Sequence, residues 1–218
     1  LKACGSLGRI VEGQKIHAQV ISRGFENDLL VGSTLVVMYT KCGSPADAQV
    51  VFSKLSVRNV VSWTALIAGH AQLLGARDSV FHLFDSMVGE GIQPDLVAFL
   101  SLLSVCNHLG LVEKGQAYFF AVCDDGHSLI PMLEHFTCVV DILGRAGHVD
   151  EVVSMIQNMP FHPNTMSWHS LLGACQESCN TKLGEYAFEN TLVLDKSDFV
   201  AYVSLFNIYA KHLQAQDM

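Results

Sequence analysis

The stretch Leu103-Ser104-Val105-Cys106-Asn107-His108-Leu109-Gly110 repeats the opening of the chain, Leu1-Lys2-Ala3-Cys4-Gly5-Ser6-Leu7-Gly8, and each runs on to a glycine at the same offset, Gly115 and Gly13. Leu172-Gly173-Ala174-Cys175 begins the same phrase a third time. A second phrase, Val36-Val37-Met38-Tyr39-Thr40-Lys41-Cys42-Gly43, returns as Val140-Asp141-Ile142-Leu143-Gly144-Arg145-Ala146-Gly147 and, without its glycine, as Phe206-Asn207-Ile208-Tyr209-Ala210-Lys211. A third, Ser62-Trp63-Thr64-Ala65-Leu66-Ile67, recurs as Ser167-Trp168-His169-Ser170-Leu171-Leu172. With Leu1, Val36, Ile67, Leu103, Val140, Leu172 and Phe206 as equivalent anchors, the successive spacings are 35, 31, 36, 37, 32 and 34 residues. A period near 34 with length variants marks a repeat architecture, each repeat one supersecondary unit.

Inside a unit an apolar helical pattern ends at glycine and a second follows, as in Ala48, Val51, Phe52, Leu55 or Val80, Leu83, Phe84, Met87. Turn signals separate the units: Gly91-Ile92-Gln93-Pro94-Asp95, Met159-Pro160-Phe161-His162-Pro163-Asn164 and the shorter Arg58-Asn59. Each unit is therefore a helical hairpin. A hairpin cannot bury both faces alone, so neighbours must stack. The expected fold is all-α, a right-handed αα superhelix (solenoid) of helix-turn-helix repeats.

Composition agrees. Half of the 218 residues are apolar, 16% are charged and the mean hydropathy is +0.32, which excludes a disordered chain. No apolar run reaches the roughly 18 to 20 residues of a membrane span; Leu29 to Tyr39 is broken by Gly32, Ser33 and Thr34. The net charge of -8 argues at first sight against an anionic partner. It is unevenly spread: residues 1–60 carry seven Lys or Arg against four acids, and residues 61–218 carry six against seventeen. The first part tolerates phosphate and the second suits a protein partner. The chain begins at Leu1 with no charged leader, so it reads as an N-terminally truncated fragment whose targeting segment lies upstream.

The seven cysteines are odd in number and scattered, with no Cys-x-x-Cys pair. Cys4, Cys106 and Cys175 share one repeat position, and Trp63 and Trp168 another, so helix packing accounts for them better than metal ligation or base stacking. The ten histidines form no metal or nucleophile motif, and no phosphate loop is present. No residue set supports an enzyme or a cofactor.

Two families have hairpins of this period: tetratricopeptide repeats, which bind protein, and pentatricopeptide repeats, which bind single-stranded RNA. The tetratricopeptide pattern does not thread through these units. Val60-Val61-Ser62-Trp63-Thr64-Ala65-Leu66-Ile67 closing on Gly91-Ile92-Gln93-Pro94-Asp95, Met38 to Gly43, and Glu134-His135-Phe136 with Asp141 to Gly147 resemble the plant pentatricopeptide repeat (PPR) family. The alternating lengths resemble its PLS subclass of standard, long and short repeats. On that resemblance residues 1–28 are a partial long repeat, 29–59 a short one, 60–95 a standard one, 96–132 a long one and 133–164 a short one. Residues 165–218, with Trp168 to Cys175, Leu183-Gly184-Glu185 and Tyr202 to Ala210, resemble the TPR-like helices of the C-terminal E motif. The chain departs from the pattern by one extra residue at Leu73-Leu74-Gly75 and around Cys123 to Leu129.

The resemblance implies that a repeat reads one base through the fifth residue of its first helix and the last residue of the unit. The RNA base-binding pairs are then Ser33 with Asn59, Thr64 with Asp95, and Thr137 with Asn164, for adenine, guanine and adenine. Hydroxyl, amide and carboxylate groups are able to discriminate base edges. Leu100 and Met132 of the long repeat are not. Leu30, Val61 and Val97, second in their units, are candidates to sandwich bases. Lys41 and Arg145, with Lys211 at the same position, are candidates for phosphate contact, or equally for a cation at a helix C-terminus. The alternative for the readers is that Ser33, Thr64 and Thr137 are ordinary polar helix residues and Asn59, Asp95 and Asn164 are helix N-caps.

The resemblance further implies a non-enzymatic RNA-binding protein of mitochondrion or chloroplast, a site-recognition factor for RNA modification. In that class C-to-U RNA editing is performed by a deaminase recruited through the E region, and the deaminase zinc signature, His-x-Glu with Cys-x-x-Cys, is absent here. Single-stranded organellar RNA and a deaminase or editing factor are the expected partners, with no membrane. The alternative is a protein-binding, TPR-like helical-repeat scaffold.

Overall fold

A computed structural model describes residues 1–73, 77–123 and 129–216 of the chain. Among the described residues the regular structure is entirely α-helical: α1 (Lys2–Ser6), α2 (Ile10–Ser22), α3 (Leu29–Lys41), α4 (Pro45–Lys54), α5 (Val60–Ala71), α6 (Arg77–Gly89), α7 (Leu96–Leu109), α8 (Val112–Cys123), α9 (Leu133–Arg145), α10 (Val149–Asn158), α11 (Thr165–Ser178), α12 (Thr181–Leu194) and α13 (Phe199–Gln216). The extra residue at Leu73-Leu74-Gly75 and most of the divergent stretch Cys123 to Leu129 fall on residues 74–76 and 124–128, outside the described residues.

The repeated glycines explain why helices end where they do. Gly8, Gly43, Gly110 and Gly147 have φ of 64°, 75°, 67° and 76°, a left-handed conformation that costs a residue without Cβ little. Each lets the next N–H reach a carbonyl five residues back: Arg9 to Cys4, Ser44 to Tyr39, Leu111 to Cys106 and His148 to Leu143, all at 2.9 to 3.0 Å. These bonds satisfy carbonyls the helix itself leaves open. At the α11–α12 turn Cys179 takes the left-handed place (φ 53°), and Asn180 N–H reaches Cys175 O at 3.1 Å.

The chain divides into two units, Leu1–Val105 and Cys106–Met218. In the first, α3 packs on α1, α4 and α5, and α5 packs on α4 and α6. Leu35, Val36, Leu66 and Ile67 are almost wholly buried between these helices. Trp63 is buried edge-on to Phe52 with ring centroids 4.6 Å apart, and its Nε1 donates to Glu90 Oε2 at 3.1 Å. The Arg58 guanidinium lies 4.8 Å from the Phe52 ring centre and pairs with the same Glu90.

In the second unit α9 packs on α8, α10 and α11, and α11 packs on α12 and α13. Val139, Val140, Ile142 and Leu143 of α9 and Leu171, Leu172 and Ala174 of α11 are buried in its core. The α9–α11 approach depends on Gly144, since a Cβ there would stand 2.6 Å from the Ser170 carbonyl oxygen. Trp168 is buried against Tyr186. Cys106 and Cys175 are fully buried, and burial raises both thiols to about 11. Cys4 is only half-buried.

Candidate nucleic-acid interface

The fifth residue of α3 is Ser33, of α5 Thr64 and of α9 Thr137. Beside each stands the N-cap residue of the first helix of the next hairpin. Ser33 Oγ donates to Asn59 Oδ1 at 3.2 Å, and Thr64 Oγ1 donates to Asp95 Oδ1 at 3.0 Å. Both acceptor oxygens also cap a helix: Asn59 Oδ1 accepts from Ser62 N at 2.9 Å and Asp95 Oδ1 from Ala98 N at 2.9 Å. Capping and pairing, alternatives in the sequence, coexist on one atom. One oxygen with two lone pairs is able to serve both donors.

The third pair runs in the opposite sense. Asn164 Oδ1 accepts from Ser167 N and Ser167 Oγ, each at 3.0 Å, and its Nδ2 donates to Thr137 Oγ1 at 3.4 Å. Thr137 Oγ1 in turn donates to Leu133 O at 2.9 Å.

Met132, the N-cap of α9, makes no side-chain cap; its backbone N–H donates to His135 Nδ1 at 3.3 Å, and His135 is completely buried. Leu100 is half-buried.

A groove of about 310 Å³ in the first unit gathers Thr64 and Asp95, the apolar Val61 and Val97, and Lys41. Val61 and Val97 are about half exposed, and Leu30 is 76% exposed on α3. Arg145 lies 3.5 Å from Asp141 with its side chain 65% exposed, and Lys211 donates to Glu177 at 3.0 Å. Both cations thus have carboxylate partners within their own unit.

Two polar features escaped the sequence reading. Asp141 is a junction, accepting from Asn107 Nδ2 at 2.7 Å and Ser170 Oγ at 2.9 Å. His169 Nε2 lies 2.7 Å from Asp198 Oδ2. Counting five residues from Thr165 would have singled out His169, but the start of α13 at Phe199 carries no strong signal. Among the described residues no three His, Cys, Asp or Glu side chains are grouped to hold a metal ion, and no helix is long and apolar enough to cross a membrane.

The PPR repeat family profile matches residues 134–161. The chain is 40% identical over 217 residues to pentatricopeptide repeat-containing protein At2g13600 of Arabidopsis thaliana, covering 97% of the chain. It is similar to pentatricopeptide repeat proteins over almost its whole length. From the same plant, At3g49170, named chloroplastic, and At3g02330, named mitochondrial, are each 39% identical over 96% of the chain. The chain spans 31%, 24% and 23% of the lengths of these three pentatricopeptide proteins. The pentatricopeptide repeat protein PPR10 from maize superposes on 95% of the chain with a TM-score of 0.73 at 17% identity, the chain covering 30% of it. In complex with an 18-nt psaJ RNA element, the same protein superposes on 97% of the chain with a TM-score of 0.66 at 16% identity, the chain covering 34% of it. These likenesses establish the pentatricopeptide fold of stacked helical hairpins.

Proposed function

We propose that this chain binds single-stranded RNA sequence-specifically, as part of a plant organellar site-recognition factor for C-to-U editing. The observation that carries the reading is the groove in which Thr64 and Asp95 stand between Val61 and Val97 with Lys41 at its border. A base sliding between the two valines meets the Asp95 carboxylate edge-on. Asp95 Oδ1 is occupied by Thr64 and Ala98, so Oδ2 is the atom offered, and an acceptor there suits the N1–H and amino donors of guanine. At Asn59 the same arrangement occupies Oδ1 and offers the Nδ2 amide, a donor that suits the N1 acceptor of adenine. The repeat division 1–28, 29–59, 60–95, 96–132 and 133–164, the PLS alternation and an E motif at 165–218 belong to this reading. Leu30 adds an exposed apolar surface for a base, and Arg145 a cation for phosphate.

Recruitment of a deaminase or editing factor through residues 165–218 is supported by α13. Phe199, Tyr202, Phe206 and Leu213 follow one another at helical spacing, and Phe199 and Phe206 are 76% and 71% exposed. A stripe of this kind suits a protein surface. Organellar location is supported by the relatives named chloroplastic and mitochondrial.

The test is titration of labelled RNAs that differ at the bases assigned to Ser33–Asn59 and Thr64–Asp95, at fixed salt. Asp95→Asn is expected to move preference at its base from guanine toward adenine by about tenfold. Equal binding of all four bases by both proteins would sink the reading.

A further inference from the structure

One packing arrangement recurs along the chain, and in one of its copies the chemistry changes. In the second unit a Cβ on Gly115 would stand 2.8 Å from Ile142 Cδ1 and 3.4 Å from Cys106 Cβ. A Cβ on Gly184 would likewise stand 2.8 Å from Ile208 Cδ1 and 3.8 Å from Cys175 Cβ. In the first unit the corresponding glycine, Gly13, faces Met38, whose Sδ lies 2.4 Å from where a Cβ would be. Met38, Ile142 and Ile208 are each the tenth residue of their helix, and Cys4 holds the repeat place of Cys106 and Cys175. A thioether thus replaces a branched alkyl group beside a cysteine. Four residues beyond Met38 stands Cys42, where the place after α9 is filled by Ala146. Cys42 Sγ lies 3.8 Å from Met38 Sδ and 3.6 Å from the Cys4 carbonyl oxygen. Two thiols and a thioether therefore gather where α1 packs on α3.

We infer that this cluster binds one soft monovalent metal ion, Cu(I), through the thiolates of Cys4 and Cys42 and the thioether of Met38. Thiolate and thioether sulfur are the ligands that select Cu(I) over harder ions. With metal–sulfur bonds of about 2.3 Å, two sulfurs on one ion stand about 3.8 to 4.0 Å apart at angles between tetrahedral and trigonal. The Cys42–Met38 spacing of 3.8 Å already has that value. Met38 is 1% exposed, while Cys4 and Cys42 are half-buried, so the ion has a dry side and a way in. Burial first, and then the charge of Cys4, holds the Cys42 thiol above its ordinary value; the two thiols sense one another across the helix contact. Each thiol gives up its proton as its bond to the ion forms, so binding releases two protons and strengthens as pH rises. The matching place in the second unit, Cys106 with Ile142 and Ala146, holds a single sulfur. The site lies apart from the RNA reading, and neither depends on the other.

The experiment uses the full 218-residue chain, reduced and kept free of oxygen, titrated with Cu(I) in competition with a chromophoric Cu(I) chelator. The chain is expected to withhold one ion from the chelator, and X-ray absorption to show three sulfur neighbours at about 2.3 Å. Cys42→Ala and Met38→Ile install the residues that Ala146 and Ile142 supply at the equivalent places, so the helices keep their packing; circular dichroism checks this. Cys42→Ala is expected to surrender the ion to the chelator. Met38→Ile is expected to hold it more weakly, with two sulfur neighbours in place of three. Cys123→Ser, which removes an exposed thiol of the second unit, is expected to retain it as the unaltered chain does. Zn(II), which favours four ligands, is not expected to displace it. Equal stripping of the unaltered chain and of Cys42→Ala, loss of the ion in Cys123→Ser, or displacement by Zn(II) would overturn the assignment. None of these outcomes bears on the RNA reading.

Discussion

Thr64 Oγ1 and Asp95 Oδ1 are 3.0 Å apart, and that same oxygen accepts the Ala98 N–H at 2.9 Å, so the reader pair and the start of α7 share one atom. Stability and discrimination are therefore separable at Asp95. Asp95→Ala removes the cap and is expected to cost about 1 kcal/mol, lowering Tm by roughly 2–4 °C. Asp95→Asn keeps a capping oxygen and is expected to leave Tm within about 1 °C. Calorimetry of the two variants checks this; equal losses would mean that the cap contributes nothing.

Gly144 and Gly173 lie in neighbouring helices and should answer oppositely to alanine. A Cβ on Gly144 meets the Ser170 carbonyl at 2.6 Å, so α9 and α11 must move apart, at a cost of about 1–3 kcal/mol. A Cβ on Gly173 meets nothing within 4 Å, and there alanine is expected to stabilise α11 by up to about 1 kcal/mol. Urea unfolding of both variants reads the difference.

Met132 leaves α9 without a side-chain cap. Met132→Asn supplies one and is expected to raise stability by about 0.5–1 kcal/mol. The measurement is Tm, and no rise would show that the introduced asparagine side chain does not reach the N–H groups of the first turn.

Stability should fall on both sides of neutrality. Burial holds His17 and His70 below their ordinary value of 6.5, and His70 Nε2 is buried with no hydrogen-bond partner among the described residues. Below pH 6.5 the unfolded chain takes up protons that the folded one resists, so stability declines as pH drops. In alkali the sign reverses. Cys106, Cys138 and Cys175 are raised by burial to about 11 from 9.0, so the unfolded thiols ionise first and stability declines between pH 9 and 11. Thermal melts across pH 5 to 11 follow both limbs, and Cys106→Ala with Cys175→Ala is expected to flatten the alkaline one.

The hairpins were legible because two local signals coincide in the sequence, an apolar helical period and a glycine at its end. Gly43 and Gly147 show both at once, and their left-handed φ is what the turn requires. The burial of Trp63 and Trp168 was legible for the same reason, since one repeat position meets one environment. The polar partners were harder to read. Asn59 and Asp95 presented capping and pairing as competing roles, and only three-dimensional proximity reveals that one oxygen performs both. His169 with Asp198 stayed hidden because histidine replaces the small hydroxyl residue of the other units and the bond spans 29 residues. The attachment of Arg145 to Asp141, one helical turn apart, was within reach of an i,i+4 reading.

The neighbour-by-neighbour packing within each unit has a mechanical meaning. Among the described residues of the second unit, α9 is braced by α8, α10 and α11, whereas α13 packs on α11 and α12. A stack held this way behaves as a linear chain of coupled links, in which disorder started at one end is paid out link by link. Amide exchange should therefore be fastest in α13, slower in α11 and slowest in α9, a gradient along the sequence in place of a single global opening.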